Sequence, residues 1–553
     1  MDLKRLKYSC IYSKGGTLVL MWSLLLATVF LSSAQPFISN PIVFAILGGS
    51  FFKYIIVPLA VFFLFFPAFA FVGERWTRHR VLYLSSALLS VGSLGMLLSL
   101  ILVRFLSTKS VPLIICFILM NLVALVGFVL CLANVIQFGA DQLHFAPSTD
   151  LPNLIYWFAF SFYTIGSTLF FLQSLVTRYT GENKDIYNFS VLFCFLIVLT
   201  VAPLFFIIIF KKNLVNEPPQ RNNPIKLIWG VLRFAKQHKA PIWRSAFTYG
   251  EELPSRIDLA KSRYGGPYST EEVEDVKSFW NILFILLATF GYSIQEFSTV
   301  LSEQYYQHDS SSLLDNIINF YSSVIPYATI GVCVLVFQFI ISPFFPRYNP
   351  SMLKLMWVGV LIAFLKTILL SVLTFQMGKD IESAIANNIS LGNNRCHKIP
   401  NDSSFIAGTY DDFTIPFYVL IISQVFEGAC LFLVFVNGLR FIMAQGPLSM
   451  QSLLIGIWLL LTNFLACTTL GLLIPLGCDW EYFATKSVII GISVIVYIPI
   501  AYKYKYRSRN EKSDVDQQFI ITEYTERQIL RREEHEKMEE FTDVPYYSIH
   551  END

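Results

Sequence analysis

Charge is what this sequence has least of. Asp, Glu, Lys and Arg make up 14% of its 553 residues, and hydrophobic residues 54%. A soluble domain carries about 25% charged residues, so this chain cannot cover a water-facing surface. The formal net charge is +2, which leaves no basic excess for nucleic acid. The nine Cys are scattered singly; none forms a CxxC pair or a Cys/His cluster at metal spacing, so no metal site or cofactor is expected. Most sit in apolar runs, where cysteine behaves as a small hydrophobe. There is no phosphate-binding Gly loop, no HExxH and no nucleophile elbow in a strand–turn–helix setting, so an enzyme is the weakest class. A cleavable signal is missing too. Lys4, Arg5, Lys7 and Lys14 precede an apolar run that is too long, and lacks the small-residue cleavage site, for a signal peptide.

What is present is a series of long apolar runs, rich in the 51 Phe of the chain. A bilayer core takes roughly 20 apolar residues per helix. Runs of that length lie near 17–38, 52–73, 81–104, 112–137, 154–177 and 188–210, and again near 279–301, 317–342, 351–376, 415–439, 452–475 and 485–502. The pattern predicts an all-α membrane protein of 12 transmembrane helices. Residues 17–210 form an N-terminal six-helix bundle, 211–278 a linker and 279–502 a C-terminal six-helix bundle. Residues 1–16 and 503–553 are the terminal segments. The tip, the Arg75–Arg80 turn, the linker from Lys211, Arg347 with Lys354, and the tail from Lys503 are all basic. They share one side if both termini are cytoplasmic. The loop 377–414 then faces the lumen or the exterior, with sequons at Asn388 and Asn401. Cys396 and Cys478 fall in predicted lumenal loops, where they are a candidate disulfide. Two bundles joined by a linker suit alternating access around a central site.

Within the linker, Ile225 to Lys239 has the spacing of an amphipathic helix with Ile225, Ile228, Trp229 and Leu232 on one side, lying on the membrane surface or against the bundle. The tail from Glu511 is densely charged. Tyr546-Tyr547-Ser548-Ile549 and Tyr8-Ser9-Cys10-Ile11 fit a tyrosine-based sorting pattern, a candidate contact for trafficking adaptors. The membrane is then the plasma membrane or an endosomal or lysosomal one.

Four separated motifs carry a resemblance. The linker reads DLAKSRYGGPYSTEEVEDVK from Asp258 to Lys277; Gly265-Gly266 permits a tight turn, and Glu271 to Asp275 suits the first turn of the helix entering span seven. Span four ends in Ala133-Asn134-Val135-Ile136-Gln137-Phe138-Gly139-Ala140-Asp141-Gln142. Span five holds Trp157-Phe158 and Ser161, and Pro447 precedes Ser449-Met450-Gln451-Ser452 before span eleven. In this order they resemble the proton-coupled oligopeptide transporter family, and most closely its peptide/histidine branch, over about residues 60 to 502. The resemblance implies a major facilitator superfamily fold and proton-driven movement of di- and tripeptides or histidine.

The same alignment exposes losses. The family's first span carries ExxER, which couples proton movement to peptide binding; here those positions hold Ala27, Phe30 and Leu31. The family's fourth-span Lys is Leu132. The acidic residue of the cytoplasmic loop motif is Glu74, followed by Arg78-His79, and Glu74 with Asp141 are the gate candidates. The family's tenth-span Glu, which holds the substrate's amine, falls on Leu433 in one frame and Arg440 in the other. The two positions are seven residues apart, about two turns, so a regular helix would face both the same way.

Charges inside spans are costly and default to a functional reading. Glu296, Lys366, Glu427 and Arg440 qualify. Glu427, mid-span, is a candidate for substrate binding and proton coupling; Glu296, near Tyr292, for proton coupling. Lys366 is read as an acid's partner or as a residue reaching the headgroups. Arg440, near the span end, either snorkels or points inward, where it would attract a carboxylate and repel an ammonium. Asn134, Trp157, Tyr163 and Tyr292 are the remaining candidates for lining a substrate path. The partners implied are the bilayer, a small organic solute or short peptide, and protons. Against peptide transport stand a divergent carrier of another organic solute, anions included, and a transport-dead scaffold. The topology has a direct check: glycosidase should shift the gel mobility of the protein, and Asn388→Gln with Asn401→Gln should abolish that shift. Labelling of a cysteine placed in this loop by a reagent confined to the cytoplasm would reverse the orientation.

Overall fold

The computed structural model describes residues 63–106, 111–142, 150–168, 223–238, 255–295, 313–345, 350–388, 417–473 and 479–506, with isolated positions at 19, 22 and between 201 and 214. Met1–Tyr504 form one compact unit and Lys505–Asp553 a second. The helices are α1 (Phe66–Trp76), α2 (Arg78–Leu106), α3 (Val111–Asp141), α4 (Asp150–Ala159), α5 (Pro224–Gln237), α6 (Thr270–Ala288), α7 (Phe290–Gln295), α8 (Leu313–Leu335), α9 (Met352–Asn388), α10 (Phe417–Cys430), α11 (Asn437–Gln445), α12 (Gln451–Leu473) and α13 (Asp479–Lys503). Among the described residues six helical stretches are long and apolar enough to cross a membrane. The protein is a multi-pass membrane protein, almost entirely helical among the described residues. Spans one and six lie almost wholly outside the described residues.

Helix is the only open-ended structure that satisfies its own backbone in lipid, which explains its near-monopoly here. α2 runs along α3, α9 along α13, and α8 packs against α10; α1, from the first half of the chain, crosses to α12 of the second. α9 outruns the apolar stretch 351–376 and stays helical to Asn388, so the first part of the expected loop 377–414 is helix and the first sequon sits at a helix end.

The linker segment folds as its motif predicts. Gly265 closes a turn at φ 83°, a backbone conformation that costs any residue with a Cβ. Ser269 caps α6 in a reciprocal capping box: its hydroxyl accepts from the Glu272 amide at 3.2 Å, and Glu272 accepts from the Ser269 amide at 3.0 Å. Asp258 is held from three sides. It accepts from Lys277 Nζ at 2.5 Å, from the Ser255 hydroxyl at 2.6 Å, and lies 2.6 Å from Lys261 Nζ. Lys261 also donates to Glu274, so two carboxylates and two ammoniums close a ring between the linker and α6. Ser449, in the turn before α12, donates to Asp275 at 3.2 Å and ties this ring's helix to the turn that enters span eleven.

Burial pushes the pKa of Asp258 up, but the bonds from Lys261, Lys277 and Ser255 outweigh it and hold the carboxyl well below the usual carboxylate range. A depressed value means that the stabilisation is complete above the ordinary carboxylate pKa and is lost as pH falls through the lowered one. Asp258→Ala should therefore lower thermal stability at neutral pH, by about 1–2 kcal/mol given the partial exposure of the ring. The difference from the parent should shrink in acid; a difference independent of pH would show that the ring contributes packing rather than charge.

Candidate functional site

The described contacts between the two halves of the chain run inward from the end predicted to be cytoplasmic. Thr77, at φ 77°, makes the sharp turn between α1 and α2 that starts α2 at Arg78. A positive φ is costly for a β-branched residue. Arg78 Nη1 reaches both carboxylate oxygens of Asp141 at 2.5 Å, and its Nη2 lies 3.4 Å from the Ser452 hydroxyl in the other half. Glu74 is buried against Ser452, in the first turn of α12. The free backbone N–H groups and dipole of a helix start suit a carboxylate there. Gln137 Nε2 donates to Gln451 Oε1 at 3.0 Å, and Gln451 Nε2 in turn donates to the Met443 carbonyl at 2.8 Å. At Gly456 the two halves come so close that a Cβ would meet Pro67 Cα at 2.7 Å. Both gate candidates thus lie in this seam: Asp141 through Arg78, Glu74 directly.

Deeper along the seam the contacts turn aromatic. α4 continues as a π-turn over Phe160–Ile165. Within it Tyr163 stacks on Tyr327 of α8 at 6.4 Å and meets Phe435 edge-on at 6.0 Å, while the Thr164 hydroxyl donates to the Tyr327 carbonyl at 2.9 Å. Tyr156 stacks on Phe432 at 5.8 Å.

The tenth span departs from a regular helix. Between α10 and α11 runs a π-turn, Leu431–Val436. A π-turn widens the helix and frees carbonyls from the usual ladder. Asn437 answers them: its Nδ2 donates to Phe432 O at 3.1 Å and to Leu433 O at 3.2 Å. Its Oδ1 accepts from Arg440 Nη1 at 3.0 Å. Arg440 also donates to the Tyr156 hydroxyl, with its guanidinium 4.7 Å over the Tyr156 ring. Two expectations change. Arg440 does not snorkel; it reaches across to the first half. Nor do Leu433 and Arg440 face one way, because the π-turn shifts the phase between them, and Leu433 instead lies beside Gly359 of α9.

Glu427 takes a different direction. It accepts from Lys366 Nζ of α9 at 2.6 Å, both side chains being buried, so Lys366 is an acid's partner. Lys486 of α13 is buried within electrostatic reach of both. The cluster sits among α9, α10 and α13, inside the second half. Sequence reading missed Lys486 because it stands at the edge of the run 485–502, where a lysine looks like a headgroup anchor.

The other candidates have varied surroundings. Asn134 donates to Phe69 O at 3.1 Å and Leu130 O at 2.8 Å, pinning α3 to α1. Trp157 meets Phe160 of its own span edge-on. Tyr292 is buried in α7, which packs on α12 and α13, and Leu132 is part of the core. Ala27, Phe30, Leu31, Glu296, Cys396, Asn401 and Cys478 lie outside the described residues.

No family model matches the chain. Solved structures do. A crystal structure of an auto-inhibited POT family peptide transporter aligns at a TM-score of 0.60 and 13% identity, covering 90% of this chain and 99% of that one. The POT family transporter PepTSo aligns at 0.58 and 14%, covering 89% and 97%. The proton:xylose symporter XylE, of the major facilitator superfamily, aligns at 0.51 and 11%, covering 89% and 96%. The fold is the major-facilitator fold. At these identities the likeness is one of architecture.

Asn437 gives the seam a test that needs no substrate. Asn437→Leu leaves two buried carbonyls and one Arg440 donor without their partner, which should cost about 1–3 kcal/mol of stability. Unfolding of the purified protein should occur at lower temperature, and Asn437→Gln should not rescue it. An unchanged melting temperature would mean that the π-turn closes on itself.

Proposed function

We propose that this protein is a secondary-active transporter, a divergent member of the proton-coupled oligopeptide transporter family. The observation that carries this reading is the chemistry of the seam. The halves meet through hydrogen bonds, one guanidinium–ring contact and stacked aromatics, with the Arg78–Asp141 pair in support. Such contacts hold one end shut yet can be exchanged for water when the halves rock apart. The four sequence motifs support the same reading, since three of them supply seam or linker contacts: Gln137 and Asp141, Ser449 to Ser452, and the Asp258–Lys277 segment.

The solute is a di- or tripeptide, histidine or a comparable small organic molecule. A zwitterionic peptide needs an anion for its ammonium and a cation for its carboxylate. The charged side chain that span ten turns towards the first half is Arg440, and Glu427 is occupied by Lys366. This favours a second reading within the same class, a carrier of solutes bearing a carboxylate in excess of their amine. The family's first-span carboxylates are absent from the sequence, and protonating Glu427 would strip Lys366 of its counter-ion. Coupling to protons is therefore weak, and any pH dependence runs through Glu427 or Glu296. Residues 17–210 and 279–502 are the two moving bundles, 211–278 the cytoplasmic linker, with both termini cytoplasmic, in the plasma membrane or an endosomal or lysosomal membrane.

Purified protein in liposomes should take up labelled dipeptides, histidine or organic anions, with each class assayed with and without an inward proton gradient. The expected result is saturable uptake that favours the carboxylate-rich solute, changes less than about threefold per pH unit, and shifts towards free amines in Arg440→Glu. Tight dipeptide uptake driven steeply by protons, and indifferent to Arg440→Ala and Glu427→Gln, would sink both the substrate and the coupling assignments.

A further inference from the structure

The linker helix α5 presents two unlike faces. Pro224, Val231 and Ala235 are buried, and the helix packs on α6 and on the segment Asp258–Ala260. The face opposite carries Ile225 at 51% and Trp229 at 69% exposure. Lys226, Arg233 and Lys236 are exposed beside them. At 3.6 residues per turn these five positions fall within an arc of about 100°. Residues 224–238 contain no acidic side chain. The helix is well formed without outside help: the Asn223 side chain accepts from the Ile225 amide at 3.1 Å, and His238 stacks on Phe234 at 3.9 Å after the last turn. The apolar stripe expected from sequence is thus divided, with Ile225 and Trp229 turned out from the protein.

We infer that this outer face docks on the anionic leaflet beside it, Trp229 and Ile225 entering the headgroup region while Lys226, Arg233 and Lys236 pair with lipid phosphates and carboxylates. Three arguments select lipid. An exposed Trp one turn from an exposed Ile is a large apolar surface that indole places well at a membrane–water boundary. Three cations with no anion among them match a negatively charged surface. Position fits as well, because α5 is packed on the start of α6, which runs on into the apolar stretch of span seven and so enters the bilayer next to it. By holding α5, the leaflet would also hold the ring of Asp258, Lys261, Glu274 and Lys277 that joins the linker to the second half. The inference does not depend on what the protein carries.

Hydrogen exchange of the full-length protein in nanodiscs tests this. Amides of residues 225–237 should exchange about tenfold more slowly in discs containing phosphatidylserine than in phosphatidylcholine alone, and high salt should remove the difference. Replacing Lys226, Arg233 and Lys236 together by Gln should abolish the effect of phosphatidylserine, while Trp229→Ala should speed exchange in both bilayers. Equal exchange of the unaltered protein in the two bilayers would overturn the proposal whatever the variants do. So would protection that appears only when a disc holds two copies, which would make a second chain the occupant.

Discussion

A charge inside a bilayer has to be answered by the protein itself, and Lys366 with Glu427 is where that constraint bears hardest on this fold. Their 2.6 Å contact joins α9 to α10, and the buried Lys486 brings α13 into the same field. Separating such a pair would leave a lone buried charge at a cost of about 3–5 kcal/mol, so the three helices are committed to one another. This fixes the part of the tenth span that precedes the π-turn. Beyond the π-turn the span is held by a different kind of bond. Arg440 and Asn437 work through neutral and cation–ring partners that water can replace. One span therefore has a half anchored by a buried ion pair and a half held by weaker contacts, with the π-turn between them.

That division matters for how a two-bundle protein can move. Alternating access needs bundles that stay intact and a seam that does not. The strong interactions lie within the halves and not between them: Lys366–Glu427 inside the second half, Asp141–Arg78 inside the first, the linker ring against α6. Across the seam the described contacts include Gln137–Gln451, Arg78–Ser452, Arg440–Tyr156, Thr164–Tyr327 and the Tyr163–Tyr327 stack. Each is individually modest. The seam is also close-packed, as the approach at Gly456 requires, so under the proposed transport reading its opening would be all-or-none rather than a gradual loosening.

The helical membrane architecture was legible in the sequence because lipid imposes a simple rule: apolar runs of bilayer length become helices. The linker turn and the start of α6 were legible for a local reason. Gly265 has few alternatives and Glu271 to Asp275 suit a helix start; the Ser269–Glu272 cap went unread, although its four adjacent residues carry the pattern. Glu427 was found because a carboxylate in an apolar run is conspicuous, but its direction was not, since a helical wheel does not reveal which neighbour packs on which face. The same limit hid Lys486, whose depth depends on how far α13 extends before its apolar run begins. The relation between Leu433 and Arg440 was misread because the wheel assumed 3.6 residues per turn. Leu431–Val436 is uniformly apolar and gives no sign of a π-turn, except that Asn437 comes directly after it; an isolated amide at that place is the signal that could have revealed the π-turn.

The losses relative to the oligopeptide transporter pattern make physical sense together. That pattern implies a Lys at position 132 and a Glu in span ten, opposite charges in a low-dielectric interior. A chain that lost only one would keep an uncompensated charge in a dry core. Here Leu132 is buried among α3's apolar neighbours, and the span-ten position is either Leu433, which packs on α9, or Arg440, so neither frame keeps a carboxylate and position 132 keeps no cation. Removing both partners is nearly neutral for stability where removing one is not. Such a double loss can be tolerated by the fold, and under the proposed reading it would withdraw the electrostatic recognition of a peptide's amine from the place the family pattern implies. Under the proposed transport reading, the group left in span ten to recognise a solute would be a guanidinium held by an aromatic ring and an amide, and Arg440 could exchange Tyr156 for a carboxylate without leaving a buried anion behind.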